Sequence, residues 1–275
     1  MTHHRFSTYV IGAERPVGHF LTRLLAAESY LYKAINLEVR ERLAPQAGGR
    51  PFMVITPSMQ RIEDFAHVMH WLEVAKEDDI PVIVLSSLAL FGDADERAKT
   101  EQDDINAEHE LADALLVIEQ AAREHSRHII VRQGQTFSMM ADDFATDILT
   151  QIRTKPALDL DNEHRFNPTA ADDVAQVLLA IMKQAACSED VWGTYHCCGV
   201  EPITTYGFAE ALLSEARQYE DLGEVTLTSS TSGFMPAVWA PVGDNTHLFH
   251  TFGIRTKPWR KALSRLLKHY YRVDS

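Results

Sequence analysis

The stretch Tyr9-Val10-Ile11-Gly12-Ala13-Glu14-Arg15-Pro16-Val17-Gly18 is made of the residue types that build a phosphate-binding turn. In such a strand–turn–helix unit the first glycine makes the tight turn, a middle glycine lets a pyrophosphate approach backbone N–H groups at the helix start, and the last lets helix pack on sheet. Gly12 and Gly18 fill the outer roles, with Val17 at the helix start, but Arg15 stands where the middle glycine belongs. Its Cβ and long side chain take space that the phosphates would use. Alternatively, the guanidinium swings out and pairs with a phosphate as a bidentate donor. Dinucleotide binding is therefore either altered or lost here, or retained through a changed contact. A second candidate is the pair Ser86-Ser87, which ends the apolar run Pro81–Leu85. Serines at the carboxyl end of a parallel strand lie where α/β folds place ligands, and they serve either as ligand contacts or as caps of the next segment.

Other chemistries find little support. Thirteen histidines include His67 and His70 three apart and His125 and His128 three apart, but no H-E-x-x-H or His–carboxylate triplet accompanies them, so no metal is expected. Cys187, Cys197 and Cys198 give an odd count without CxxC spacing, which suggests neither a disulfide framework nor a zinc site. Gly134-Gln-Thr-Phe-Ser138 lacks the spacing of a hydrolase nucleophile elbow. Asp142 with Asp143, and Asp172 with Asp173, read as helix-start charges rather than as paired acid and base.

Short apolar runs alternate with amphipathic stretches through the first half, the pattern of βαβ units and a parallel sheet. Strands are expected near 7–12, 31–36, 51–56, 81–87 and 128–134, with helices over 17–28, 62–77 and 106–124. Further on, helices are expected over 170–185 and 206–217, the latter capped by Thr204 or Thr205, with strands at 193–199 and 224–230. Residues 46–50 (QAGGR) read as a loop. The fold class is α/β, a doubly wound parallel sheet with a smaller C-terminal α+β lobe. A Rossmann-like domain spans 1–140 and the lobe 141–275, with about 170–200 returning to the first sheet.

Composition excludes several classes. The chain has 275 residues, 45% hydrophobic and 24% charged, which fits a folded globular protein. A formal charge of −13 opposes a phosphate-tracking surface, so nucleic acid is not an expected partner. The one basic concentration, 255–272, carries Trp259, Leu263, Leu266 and Leu267 at helical spacing and reads as a packed terminal helix. No long apolar window is present, so neither secretion nor membrane spanning is expected, and a reduced cytoplasm fits the cysteines.

Six segments, in order, resemble the extended short-chain dehydrogenases, and most of all the branch containing dTDP-4-dehydrorhamnose reductases. They are VIGAERPVGHFLTRLL, IPVIVLSSLALFG, TEQDD, HIIVRQGQTFS, FNPTAADDVAQVLLAIM and GTYHCCGVEPITTYGFAEAL. The resemblance implies an extended Rossmann-like fold, NAD(P) as cofactor and a nucleotide-sugar substrate. It also implies a Tyr-x-x-x-Lys pair, whose lysine lowers the pKa of a phenol that normally titrates near 10 so that it can donate the proton during hydride transfer. None of the eight tyrosines has a lysine four positions on. Aligning Asn106 with the family tyrosine puts Glu110 at the lysine, and aligning Leu111 puts Leu115 there; both registers lose the pair. Pro57 and Met59 stand where the family has an alanine-rich turn over the cofactor, and Asn36 or Glu38 would face its ribose. Two functions follow as expectations. One is a non-catalytic protein that binds a nucleotide, a sugar nucleotide or a protein partner, with a homo-oligomer possible. The other is an NAD(P)-dependent reductase or epimerase in which Ser87 persists and His109 or Glu110 replaces the phenol.

Overall fold

The computed structural model describes residues 6–41, 43, 50–92, 97–140 and 143–272. The chain opens with β1 (Phe6–Ile11), α1 (Pro16–Ala27), β2 (Leu31–Ile35), β3 (Arg50–Ile55), α2 (Asp64–Glu77), β4 (Val82–Ser87), α3 (Glu110–Arg123) and β5 (His128–Gln133). It continues with β6 (Gln135–Phe137), α4 (Phe144–Thr154), β7 (Ala157–Asp161), β8 (Arg165–Phe166), β9 (Pro168–Ala170), α5 (Ala171–Ala185) and β10 (Gly193–Cys197). The last elements are β11 (Ile203–Thr204), α6 (Thr205–Ala216), β12 (Thr226–Ser230), α7 (Thr246–Phe252) and α8 (Trp259–Arg272).

Six strands form one sheet in the order β10-β5-β4-β3-β1-β2, every pair parallel. Residues of β1 and β4 are buried on both faces, which is why Tyr9–Ile11 and Val82–Leu85 read as apolar runs rather than as alternation. α1 packs with α5 and α2 with α3, so the sheet is covered on both sides and the α/β, doubly wound class holds. Strand order reverses between β1 and β3, and such a reversal leaves a crevice outside the carboxyl ends of the two strands.

A second hydrophobic cluster lies apart from the sheet. Phe144 and Phe208 pack with their rings tilted and centroids 4.8 Å apart, and Phe137, Phe166 and Trp259 close around them. α8 seals this cluster with Trp259, Leu263, Leu266 and Leu267, the four apolar residues at helical spacing in the basic tail. No helix among the described residues is long and apolar enough to cross a membrane.

One local reading changes. The helix expected over 106–124 starts only at Glu110, because His109 turns extended and accepts a hydrogen bond from the Ala112 N–H, capping the helix there. Asp143 caps α4 by accepting from the Ala145 and Thr146 N–H groups. Asp142, its expected companion, and residues 46–49 of the expected loop lie outside the described residues.

Gly18 shows how tightly the first turn is built. A Cβ there would sit 2.1 Å from the Gly12 carbonyl oxygen, and that oxygen is backbone. Gly18→Ala is therefore expected to cost about 2–3 kcal/mol, in the overpacking range, read as a lower urea midpoint with unchanged slope.

Candidate functional site

The crevice between β1 and β3 is built from three short segments. Gly12 takes φ +85°, and both Gly12 and Ala13 donate backbone hydrogen bonds to the Ile35 carbonyl. Thr56, just past β3, donates its hydroxyl toward the Ile11 and Gly12 carbonyls, at 3.0 and 3.1 Å, tying the two loops together. Arg15 is the extended residue before α1, with Pro16 as the first helical residue.

The Arg15 guanidinium crosses the crevice to Asp64, the first residue of α2. Its Nε and Nη2 lie 2.8 and 2.6 Å from the two carboxylate oxygens, and Asp64 also accepts from the Ser58 N–H at 2.9 Å. Glu14 and Glu38 stand 3.7 and 3.6 Å from the same guanidinium. Glu14 in turn accepts from the Leu37 N–H just after β2. The fork is thus committed to Asp64 rather than swung out toward a free anion. One cation faces three carboxylates. Asn36 is exposed beside this cluster.

Past the crevice an inner cleft is lined by Val17, Pro57, Met59 and Ser87. Ser87 accepts from the Ala89 N–H at 3.1 Å, so the same hydroxyl that faces the cleft also caps the turn after β4. Ser86 belongs elsewhere. Alternation along the strand turns it away, and its hydroxyl donates to Glu119 at 2.6 Å in the interior, so the reading of Ser86 as a cofactor contact is corrected.

An open outer groove of about 1420 Å³ adjoins the cleft, with Phe91, Leu111 and Trp239 as apolar wall and Asn106, Glu108 and Glu110 along one side. Asn106 and Glu110 face this groove, whereas Leu115 is fully buried, so the groove-facing register is Asn106/Glu110. Asn106 is engaged by the Gly92 N–H at 2.7 Å. His109 has both ring nitrogens occupied, one accepting from the Ala112 N–H and the other 3.1 Å from the Ala89 carbonyl. This corrects its reading as a replacement acid, since both ring nitrogens are already engaged by backbone groups. Glu110, exposed in the first helical turn, is the one candidate acid left free of a hydrogen-bond partner among the described residues.

The remaining polar candidates are structural. Asp172 pairs with Arg265 at 2.6 Å and Asp173 with Lys257 at 3.3 Å. Among the described residues no three His, Cys, Asp or Glu side chains are grouped to hold a metal; His125 and His128 bond to nearby backbone instead.

Sequence reasoning missed a buried network behind the cleft. Glu119 receives Arg132 through two bonds of 2.9 and 2.8 Å, Arg123 at 2.7 Å and the Ser86 hydroxyl. Next to Arg132 on β10 is His196, fully buried, with Nδ1 donating to the Lys99 carbonyl and its ring edge-on to Phe91. An arginine inside an apolar strand was the available signal, because a buried guanidinium needs an acid.

Burial, with the neighbouring Arg132 charge adding to it, pushes His196 down to about 4. The ring stays neutral in the folded state while the unfolded ring takes a proton below its ordinary 6.5, so the unfolded state binds more protons between these values. Stability is expected to fall by about 3 kcal/mol as pH drops from 7 to 4 through this residue alone. Urea titrations across that range test it, and His196→Gln is expected to flatten the dependence.

The sheet order, the glycine turn at its switch point, the serine ending β4 and the lobe beside the strand ends define the class: an extended short-chain dehydrogenase/reductase fold. The family profile described as the RmlD substrate binding domain matches residues 60–272, and the chain belongs to that family. A dTDP-4-dehydrorhamnose reductase of Aggregatibacter actinomycetemcomitans is 27% identical over 146 residues, 51% of this chain and 50% of that protein. The match thus spans half the length of this curated relative. The solved dTDP-4-dehydrorhamnose reductase of Clostridium acetobutylicum superposes with a TM-score of 0.79 at 16% identity, covering 96% of this chain and 99% of that one. That of Bacillus anthracis, in complex with NADP, gives a TM-score of 0.75 at 13% identity with the same coverage. The chain is therefore reductase-like in family and fold.

Proposed function

We propose that this chain is a non-reducing member of its family that holds a nucleotide sugar in the outer groove as a regulatory or scaffold protein. What supports the reading is that Asn106 and Glu110, which align with the family's tyrosine and lysine in one of the two registers, both line the groove. An amide is no proton donor of useful strength, and a carboxylate opposes the charge that would activate one. Carboxylate and amide beside an aromatic wall suit the hydroxyls and ring of a sugar.

The residues at the switch point do not fit a dinucleotide. A pyrophosphate brought to the Gly12 turn would meet the Arg15 side chain and, around it, Asp64, Glu14 and Glu38. Desolvating two like charges against each other is costly; Arg15 is already satisfied by Asp64, and Arg61, 3.7 Å from the same carboxylate, is shared with Glu63. The enzyme reading, an NAD(P)-dependent reductase or epimerase, keeps two observations in its favour: Ser87 on the cleft and the free Glu110 carboxyl on the groove.

Calorimetric titration with dTDP-glucose, NADH and NADPH separates these readings, since a ligand of the folded state raises its melting temperature by mass action. Binding of dTDP-glucose, silence with both dinucleotides and no loss of nicotinamide absorbance are expected. Tight NADPH binding with hydride transfer to a 4-keto nucleotide sugar would overturn the proposal. Silence with all three would leave the groove to a protein partner and overturn the nucleotide-sugar assignment.

A further inference from the structure

We propose that a cavity between α5 and the 254–257 segment is a second ligand site, for a small anion with an apolar body. It is independent of the groove reading, because it shares no lining residue with the inner cleft or the outer groove. The cavity is a partly open slot with about 180 Å³ of accessible space, room for a slender apolar chain rather than a drug-sized molecule. Its walls are Val174, Val177 and Ala180 of α5 and Ile254 opposite them, and its floor is Cys197 and Cys198 at the end of β10.

The floor is chemically quiet. Burial pushes the Cys197 thiol up to about 12 and Cys198 higher still, so both remain protonated and act as small apolar groups. Cys198 points its thiol at the Gly243 carbonyl and the Asn245 side-chain oxygen, both 3.3 Å away. Neither cysteine is placed to react.

Charge is gathered at the mouth. Lys257 donates to Gln176 at 2.7 Å and reaches Asp173 at 3.3 Å. Asp173 also lies 3.5 Å from Arg265, which is paired with Asp172. Arg255 lies over the Phe249 ring with its guanidinium carbon 5.0 Å from the ring centre, and no described residue accepts a hydrogen bond from it. Among the residues that line the cavity two cations, Arg255 and Lys257, stand with one carboxylate, Asp173, on a chain whose formal charge is −13. A guanidinium over a ring keeps its edge free, and that edge is a planar fork matched to a carboxylate or a phosphate. An apolar slot ending at such a fork selects an amphipathic anion over a neutral molecule of the same shape.

Octanoate and octyl phosphate are the probes, with octanol as the uncharged control, titrated calorimetrically into the intact protein. At least one anion is expected to bind tenfold or more tightly than octanol, and the tighter of the two identifies the head group. Arg255→Gln, at an exposed position, is expected to weaken that binding about tenfold with the melting temperature unchanged. Val177→Trp fills the slot and is expected to abolish binding, with circular dichroism reporting whether it folds; should it not fold, the Arg255→Gln result decides alone. Failure of both anions to bind, equal binding of octanol, indifference to Arg255→Gln, or full binding to a folded Val177→Trp variant would each overturn the assignment.

Discussion

Arg15→Ala is expected to lower the unfolding free energy by about 3–5 kcal/mol, because it strands the Asp64 carboxylate, only 1% exposed, without its partner. Arg61, whose Nε lies 3.7 Å from Asp64, is too distant and too exposed to substitute for a bidentate fork. The pair R15G/D64N removes both charges, and asparagine keeps an oxygen for the Ser58 N–H. Most of the lost stability is then expected to return. The double variant also reopens the turn, with glycine in the middle position and one carboxylate fewer. It is expected to gain NADH binding at least tenfold over the parent in calorimetric titration. Stability restored without any gain in NADH affinity would show that the Arg15–Asp64 bridge is not what keeps a dinucleotide out.

The second large effect is expected at Arg132. Arg132→Met leaves Glu119 fully buried with the Ser86 hydroxyl and the half-exposed Arg123 as its remaining partners, for a loss of about 3–5 kcal/mol at pH 7. Burial by itself raises the Glu119 pKa, but the hydrogen bonds and charge of Arg132 outweigh it, so the net direction is downward. A depressed carboxylate stabilises the fold above its unfolded pKa, and that contribution is lost as pH falls through the folded value. In Arg132→Met the sign reverses: the stranded carboxyl takes up a proton more readily when folded, so part of the loss is recovered on acidification. Urea midpoints of both proteins from pH 7 down to pH 3 test this. Glu119 is expected to leave the wild type unchanged above its ordinary 4.5 and to weaken it below, whereas the variant loses less or gains. E119L/R132M, which removes both charges, is expected to lie within about 2 kcal/mol of the parent.

The two sites differ in how much of them was legible beforehand. Gly12, Gly18 and Arg15 are spaced so closely that sequence alone announces a turn with an obstructed centre. What the arginine does there depends on Asp64, forty-nine residues away, and no local pattern connects them. The Asn106/Glu110 register was open for a similar reason. Both candidate registers carry the same spacing, and only the burial of Leu115 and the cap at His109 decide which pair meets the groove. Ser86 and Ser87 are adjacent and chemically identical, yet one faces the cleft and the other Glu119, since a strand alternates its sides.

The sequence by itself determined the parallel sheet, the helices that cover it and the loss of Tyr-x-x-x-Lys. Those follow from apolar periodicity and from an exhaustive search over eight tyrosines. Tertiary structure alone decided the Arg15–Asp64 bridge, the Glu119–Arg132 network, the neutral His196 and the cavity beneath Arg255. The physical reason is distance along the chain. Periodicity and capping act within a few residues, whereas a buried charge is satisfied by whichever opposite charge the fold carries to it, from any point in the sequence.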